Sequence, residues 1–296
     1  YGQWPARWIA FLNKGGQNMR RLIRIVAAAL LPAMPALADA QSLPDTDYQA
    51  DRHSPEYAYD GGMRLARSKP WTFSFFIPLS WQSNIGDDSS GMVIDPEWTL
   101  ARDWSLGALK LSTTGAIFLS VPEPDPAADV SGWYATIELS AGDPAAGLSP
   151  YLQYEPVAVH AGVLGANLLT RHNIRAGVRR VAGPVSLDLS AVRAPTNVEG
   201  ADRTAVQFSA IGNWRAGSTG FQLRGDLEQR WYDRVNADTD RREITRLRIR
   251  ARAIIPLDPA VDLLLNAQWE RHWANNEAWE FSNITIGPTL VARFGF

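Results

Sequence analysis

The chain has no cysteine and, in 296 residues, only four histidines and four methionines. No disulfide framework and no thiolate metal site can form, so sulfur redox chemistry is excluded. Basic charge is not in excess either: 29 Lys and Arg against 31 Asp and Glu give a formal net charge of -2 and a pI near 6.1. The electrostatic footprint of a phosphate-backbone binder is missing, and no nucleic-acid partner is expected. Long apolar runs are lacking as well. Charges or turn residues interrupt every apolar stretch beyond the first forty residues, so any crossing of a membrane must be made by strands. What the chain does have is tryptophan, in twelve copies.

From Met19 the sequence reads MRRLIRIVAAALLPAMPALADA, with Arg20, Arg21 and Arg24 ahead of an apolar run from Ile25 to Ala38 and then Ala38-Asp39-Ala40. This is the layout of a secretory signal peptide over residues 19–40. A membrane anchor is disfavoured, because the run holds Pro32 and Pro35 and falls short of the roughly 20 residues a span needs. Residues 1–18 precede Met19 and read as a translated upstream extension. Removing residues 1–40 takes away Arg7, Lys14, Arg20, Arg21, Arg24 and one acid, Asp39, which leaves 24 basic and 30 acidic residues. Residues 41–70 are polar and aperiodic, punctuated by Pro44, Pro55, Gly61, Gly62 and Pro70. They read as an irregular periplasmic or luminal leader, one able to enter the interior of the C-terminal domain and plug it.

From Trp71 to Phe296 the pattern is period-two segments separated by turn signals, which argues an all-β sandwich or barrel. Twelve strands are predicted: 71–84, 94–105, 107–121, 131–141, 148–157, 169–180, 183–193, 203–214, 218–233, 243–256, 260–273 and 280–296. Connections after the even strands are short, and those after the odd strands are longer and more polar. Such alternation is expected when every strand crosses the same slab, with short turns and both barrel ends on one side and long loops on the other.

One face of each strand is apolar. In 260–273, Val261, Leu263, Leu265, Ala267, Trp269 and Trp273 oppose Asp262, Asn266, Gln268, Glu270 and His272. Alternation alone fits a soluble sandwich too. Length separates the two: these strands mostly exceed the globular norm of about 5 or 6 residues and suit the roughly 9 to 11 needed for a tilted crossing. Trp71, Trp81, Trp98, Trp104, Trp133, Trp214, Trp231, Trp269, Trp273 and Trp279 fall near the ends of apolar bands, as interfacial aromatic girdles do.

With the signal peptide and the closing ITIGPTLVARFGF, in which Ile286, Leu290, Phe294 and Phe296 fall in step, residues 71–296 resemble a Gram-negative outer-membrane β-barrel. The resemblance is to the class and places no subfamily. It implies an antiparallel up-and-down transmembrane barrel of about 12 strands. It implies Sec-type export to the bacterial outer membrane, contact with outer-membrane lipid, and recognition of the last strand, through Phe294 and Phe296, by the barrel-assembly machinery.

In a barrel with lipid outside, the polar faces line the lumen. Residues 243–256 put Arg246, Arg248, Arg250 and Arg252 on one face, and 218–233 offer Arg224, Asp226, Glu228 and Arg230. A hairpin between them is expected to set Asp226 near Arg250 and Glu228 near Arg248, with Asp262 near Arg252. Arg171, Arg175 and Arg179 add positive charge, while Asp95, Glu97, Asp103, Glu138 and Glu155 gather negative charge elsewhere. The expectation is a basic wall and an acidic wall lining a narrow channel for small hydrophilic solutes, anionic ones included. The competing reading is a salt-bridged interior that fills the barrel, in a lipid-modifying enzyme or a structural or surface-interaction protein.

No catalytic group stands out. His53 lies in the leader, His160 in a long connection, His172 near a strand start and His272 on a polar face. Adjacent His172 and Asn173 point to opposite faces, and Asp262, Glu270 and His272 are separated by two-residue steps of about 7 Å or more. Neither a catalytic residue nor a metal or other cofactor is expected, and no serine motif resembles the outer-membrane phospholipases.

Overall fold

The computed structural model describes residues 71–84, 90–123, 129–233 and 241–296. The upstream extension, signal peptide and leader expected at 1–70 lie outside the described residues. Thirteen antiparallel strand segments succeed one another: β1 (Trp71–Gln82), β2 (Gly91–Ile94), β3 (Glu97–Leu106), β4 (Leu109–Pro122), β5 (Val130–Ala141), β6 (Ser149–Ala161), β7 (Asn167–Ala182), β8 (Val185–Ala194), β9 (Arg203–Ala216), β10 (Thr219–Tyr232), β11 (Glu243–Asp258), β12 (Val261–Ala274) and β13 (Phe281–Gly295). From β3 onward each pairs with its sequence neighbour, and β1 pairs with β13 to close the sheet.

The result is a closed twelve-stranded antiparallel barrel with one extra strand segment. That extra segment arises at Asp95-Pro96. Both β2 and β3 pair with β1 on one side and β4 on the other, so they are two halves of one spanning strand. Pro96 has no N–H to give the ladder, and the strand breaks where it sits. Among the described residues no helix is long and apolar enough to cross a membrane.

Connection lengths follow the predicted alternation except around β6, where the 142–148 connection at the short-turn rim is longer than the 162–166 connection opposite. At one rim Leu106 pairs with Leu109, Ala182 with Val185 and Ala216 with Thr219, leaving two-residue turns that contain Gly107, Gly183 and Gly217. Their φ angles of 65°, 59° and 60° are left-handed, which glycine adopts without steric cost and which suits the favoured two-residue hairpin turns. The termini of the sheet meet at this same rim, where the N–H groups of Trp71 and Phe296 each donate to the other's carbonyl at 3.2 Å. At the opposite rim β6 runs further than expected, to Ala161, and the connection to β7 shrinks to residues 162–166. His160 is therefore a strand residue and not a loop one.

The two faces are inverted relative to a soluble protein. Ile117, Leu152, Leu189, Leu223, Leu227 and Ile249 are exposed on the outside, while Gln82, Ser120, Gln207 and Asn283 are buried inside. A contiguous apolar outer band has no rationale in water, and it disposes of the soluble-sandwich alternative. Apolar side chains do enter the interior towards the rims. Phe118, Val130, Tyr134, Val157, Val159 and Leu169 cluster there, with Val198 of the 195–202 connection packed against them.

The closing seam is the tightest point of the sheet. The β1–β13 register holds from Thr72↔Gly295 to Pro78↔Thr289 and from Trp81↔Ile286 to Gln82↔Thr285, with a gap between. There Gly287 approaches the β1 backbone so closely that a Cβ would lie 2.0 Å from the Leu79 carbonyl oxygen. The obstacle is backbone and cannot rotate away. Gly287→Ala is expected to cost about 1–3 kcal/mol of stability, read as a lowered urea midpoint and a smaller fraction of heat-modifiable, folded species in detergent gels. Gly225→Ala, where nothing stands within 4 Å of the new Cβ, should leave both unchanged.

Candidate functional site: the charged interior of the barrel

Period-two geometry carries the charges inward. Along β11, Arg246, Arg248, Arg250 and Arg252 are buried while Ile249 and Ala251 between them face out. Along β10, Arg224, Asp226, Glu228 and Arg230 are buried in the same sense. Their pairing differs from the sequence expectation: Asp226 stands opposite Arg248, Glu228 opposite Arg246, and Arg224 opposite Arg250. The hairpin axis is displaced by one residue, which shifts cross-strand partners by two and so keeps every side chain on its face.

Asp226 gathers donors from three strands. It accepts from Arg224 Nε at 2.8 Å, Arg248 Nη2 at 3.0 Å and Ser209 Oγ at 2.6 Å. Glu228 is held between Arg230 Nη2 at 3.0 Å and Arg246 Nη2 at 2.8 Å. Arg246 in turn lies 3.9 Å from a Glu270 oxygen that His272 Nε2 meets at 2.7 Å. Guanidiniums and carboxylates thus alternate across three strands, and charge-assisted hydrogen bonds offset the desolvation of each. Nearer the short-turn rim neutral amides accept from the next two arginines: Arg250 Nε donates to Gln268 at 3.2 Å and Arg252 Nε to Asn266 at 2.8 Å.

Asp262 does not reach Arg252. The tight turn at Pro259-Ala260 places it opposite Pro256, and it binds Arg293 of β13 at 2.6 Å. Glu270 and His272, though two residues apart, do touch, because side chains lean along the strand by more than their Cα spacing implies. Asn173 points inward and donates to Glu155, whereas His172 faces out and lies 2.8 Å from the Tyr154 hydroxyl. Among the described residues no group of three His, Cys, Asp or Glu is placed to hold a metal ion.

The third set of arginines sits on β7. Arg171 and Arg175 are buried, and Arg175 donates to Gln207 at 3.1 Å. Arg179 makes a bidentate pair with Glu138 at 2.7 and 2.9 Å, bonds Asp188 at 2.9 Å, and lies 3.9 Å over the Tyr151 ring. Glu138 is two strands away on β5, so this contact reaches across β6. Asp188 and Tyr151 are visible in the sequence only as members of alternating strands; their convergence on Arg179 needs the register.

Carboxylates dominate another sector. Asp95 accepts from Ser120 at 2.6 Å, Glu97 from the Tyr134 hydroxyl at 2.9 Å, and Glu155 from Asn173 at 2.9 Å and Gln153 at 3.1 Å. In the ring of strands β10 and β11 stand across from β4 and β5, so the arginine-rich strands face the sector from β2 to β6 that bears these acids. Beyond the end of β10, at the long-loop rim, Asp233 accepts two hydrogen bonds from Arg193, which hold its carboxyl below the usual carboxylate range.

Removing the hub of the network tests its energetic role. Asp226→Asn leaves Arg224 and Arg248 facing a neutral amide in a buried site, and the loss expected is about 3–5 kcal/mol. Asp262→Asn, at a part-exposed pair, should lose less than half as much. Urea unfolding of the detergent-solubilised protein, followed by tryptophan fluorescence, measures both.

No protein-family model and no curated protein matches the chain. Solved structures do. An outer-membrane channel from Pseudomonas putida F1 superposes with a TM-score of 0.52 at 13% identity, covering 76% of this chain and 96% of that one. The CymD monoaromatic hydrocarbon channel gives 0.46 at 6% identity, with 77% and 89% covered, and LpxR from Salmonella typhimurium gives 0.43 at 10%, with 76% and 100% covered. At such identities the likeness is one of fold, and the fold it shows is the closed antiparallel β-barrel of outer-membrane proteins.

Proposed function

We propose that the protein is an outer-membrane channel whose charge-lined interior passes small hydrophilic solutes and favours anions. The observation that carries this reading is the inverted barrel: large apolar side chains on the outer face, and a belt of arginines and carboxylates inside. Twelve strands fall between the 8 whose interior is filled by side chains and the roughly 16 to 18 that leave a wide aqueous channel, so the pore is narrow. Inward arginines exceed inward acids on β10 and β11 by six to two, and such an excess raises the local concentration of anions.

The same reading sets the protein in the bacterial outer membrane. Export follows from the signal peptide at 19–40, insertion from reading of Phe294 and Phe296 at the C-terminal strand by the assembly machinery, and anchoring from the outward tryptophans against lipid. A second reading, a barrel that modifies lipid, draws on the buried Glu270–His272 hydrogen bond, in which a carboxylate orients an imidazole. Lipid hydrolysis by purified protein that is lost in His272→Gln would favour it.

Planar-bilayer recordings test the channel. Arg250 and Arg252 bond neutral amides through Nε, so Arg250→Gln with Arg252→Gln leaves neither of those partners an orphaned carboxylate. The reversal potential under a KCl gradient should move towards the cation value in the double variant, with single-channel current retained. An unmoved reversal potential would remove the arginines from the permeation path.

A further inference from the structure

Strand alternation puts one arginine of β3 on the lipid side of the wall. Glu97, Thr99 and Ala101 are buried, while Trp98, Leu100, Arg102 and Trp104 alternate with them on the outer face. Asp103, the acid next to Arg102 in sequence, belongs to the inward series and lies 3.6 Å from Lys110. Arg102 stands four residues before β3 ends at Leu106, so it faces outward close to the short-turn rim.

Pairing builds a corner of two indoles around it. Trp71 of β1 is directly opposite Arg102, and Trp104 follows two residues on along β3, on the same face. The rings meet edge to face, with centroids 6.3 Å apart at 77°, and the guanidinium carbon lies 4.9 Å from the Trp71 centroid and 4.8 Å from that of Trp104. Aromatic faces attract the cation and hold it in place, but they do not neutralise it. Arg102 Nε is buried with no hydrogen-bond partner, and among the described residues no carboxylate pairs with the guanidinium. At the opposite rim the outward Arg193 and Arg271 each have an acid, Asp233 and Glu280. A partly desolvated charge without a counter-charge costs free energy. The anion for Arg102 must come from the surroundings.

Those surroundings are lipid. Trp214 of β9 and Phe221 of β10 stack on the outer face near the same rim with centroids 6.1 Å apart, and indoles collect at the headgroup level of a bilayer. Arginine suits the phosphates found at that level, because its planar fork donates two parallel N–H groups to one of them. Thr113 stands opposite Arg102 on β4 with its side chain on the same face, so a hydroxyl borders the corner on the side away from Trp71. Towards the membrane centre the exposed Leu100 and Ile117 continue the apolar band, where acyl chains lie. We propose that Arg102, in its corner of Trp71 and Trp104, is a binding site for the phosphate of a membrane glycerophospholipid. The site goes beyond the channel reading and is independent of whether the lumen conducts.

Native mass spectrometry of the detergent-solubilised protein measures the binding, with dimyristoyl phosphatidylglycerol as the probe. Arg102→Gln should weaken it by about fivefold, the effect of one basic residue at a membrane surface. Arg102→Met, of similar length and apolar, serves with the same expectation if the glutamine variant fails to fold. Arg180→Gln removes an exposed outward arginine near the same rim that has no ring stacked on it among the described residues, and should leave binding unchanged. Dimyristoylglycerol, which has the same tails and no phosphate, should bind the wild type and the Arg102 variants alike, and inorganic phosphate should not displace the phospholipid.

Phospholipid binding that is equal in the wild type and the Arg102 variants overturns the site. An equal loss in Arg180→Gln also overturns it, since attraction to the rim is then diffuse. A loss of dimyristoylglycerol binding in the Arg102 variants assigns the corner to acyl chains and rejects the phosphate. Displacement by inorganic phosphate makes it an ion site and rejects the lipid.

Discussion

Pairing of β1 with β13 is the constraint on which everything else in this barrel depends. In lipid each backbone N–H and C=O must find a partner within the protein, since no water is present to supply one, and an open sheet would present two unpaired edges. Closing the ring removes both edges in one step. It also explains the anatomy of the last strand: an aromatic residue at the very rim, a ladder that reaches Trp71, and a glycine at the one place where β1 and β13 crowd together. Prolines at 78 and 288 give up their ladder donors beside this crowded point, and the register resumes beyond it.

Closure in turn dictates what the two faces can be. Once the sheet wraps on itself, alternate residues have only an inside and an outside to choose between, and a hydrocarbon surround reserves the outside for apolar side chains. Polar groups are left to the interior, where they must satisfy one another. The structure does so largely by reach. Arg179 spans β6 to clamp Glu138, Arg293 crosses to Asp262 on the adjoining strand, and Asp226 gathers donors from β9, β10 and β11. Hydrogen bonds from Ser, Asn, Gln and Tyr then hold the carboxylates of the opposite sector.

Face and partnership differ in how far the sequence discloses them. Which residues face inward is legible throughout β7, β10 and β11, because a period of two depends only on whether a position is odd or even. The turn at Pro259-Ala260 has no left-handed residue, but the two-residue turns at Gly107, Gly183 and Gly217 are legible because glycine readily supplies theirs. Partnerships are not. A displacement of the hairpin axis by one residue alters no face, so nothing in the pattern distinguishes Asp226–Arg248 from Asp226–Arg250. The contact of His272 with Glu270 escapes for a related reason: Cα spacing fixes where side chains start and says little about where their polar ends meet.

The arrangement of charge in the interior follows from the way these pairs are made. A one-to-one arrangement would give each arginine of β10 and β11 a separate carboxylate on a neighbouring strand. Asp226 and Glu228 instead each serve arginines on two strands, while Asp95, Glu97 and Glu155 are held by hydroxyl and amide donors. Carboxylates shared between arginines of two strands thus gather on β10, while carboxylates that accept from hydroxyl and amide donors gather on the facing sector. How charge is arranged in this interior depends on which carboxylates reach which arginines, and the number of arginines alone would not predict it.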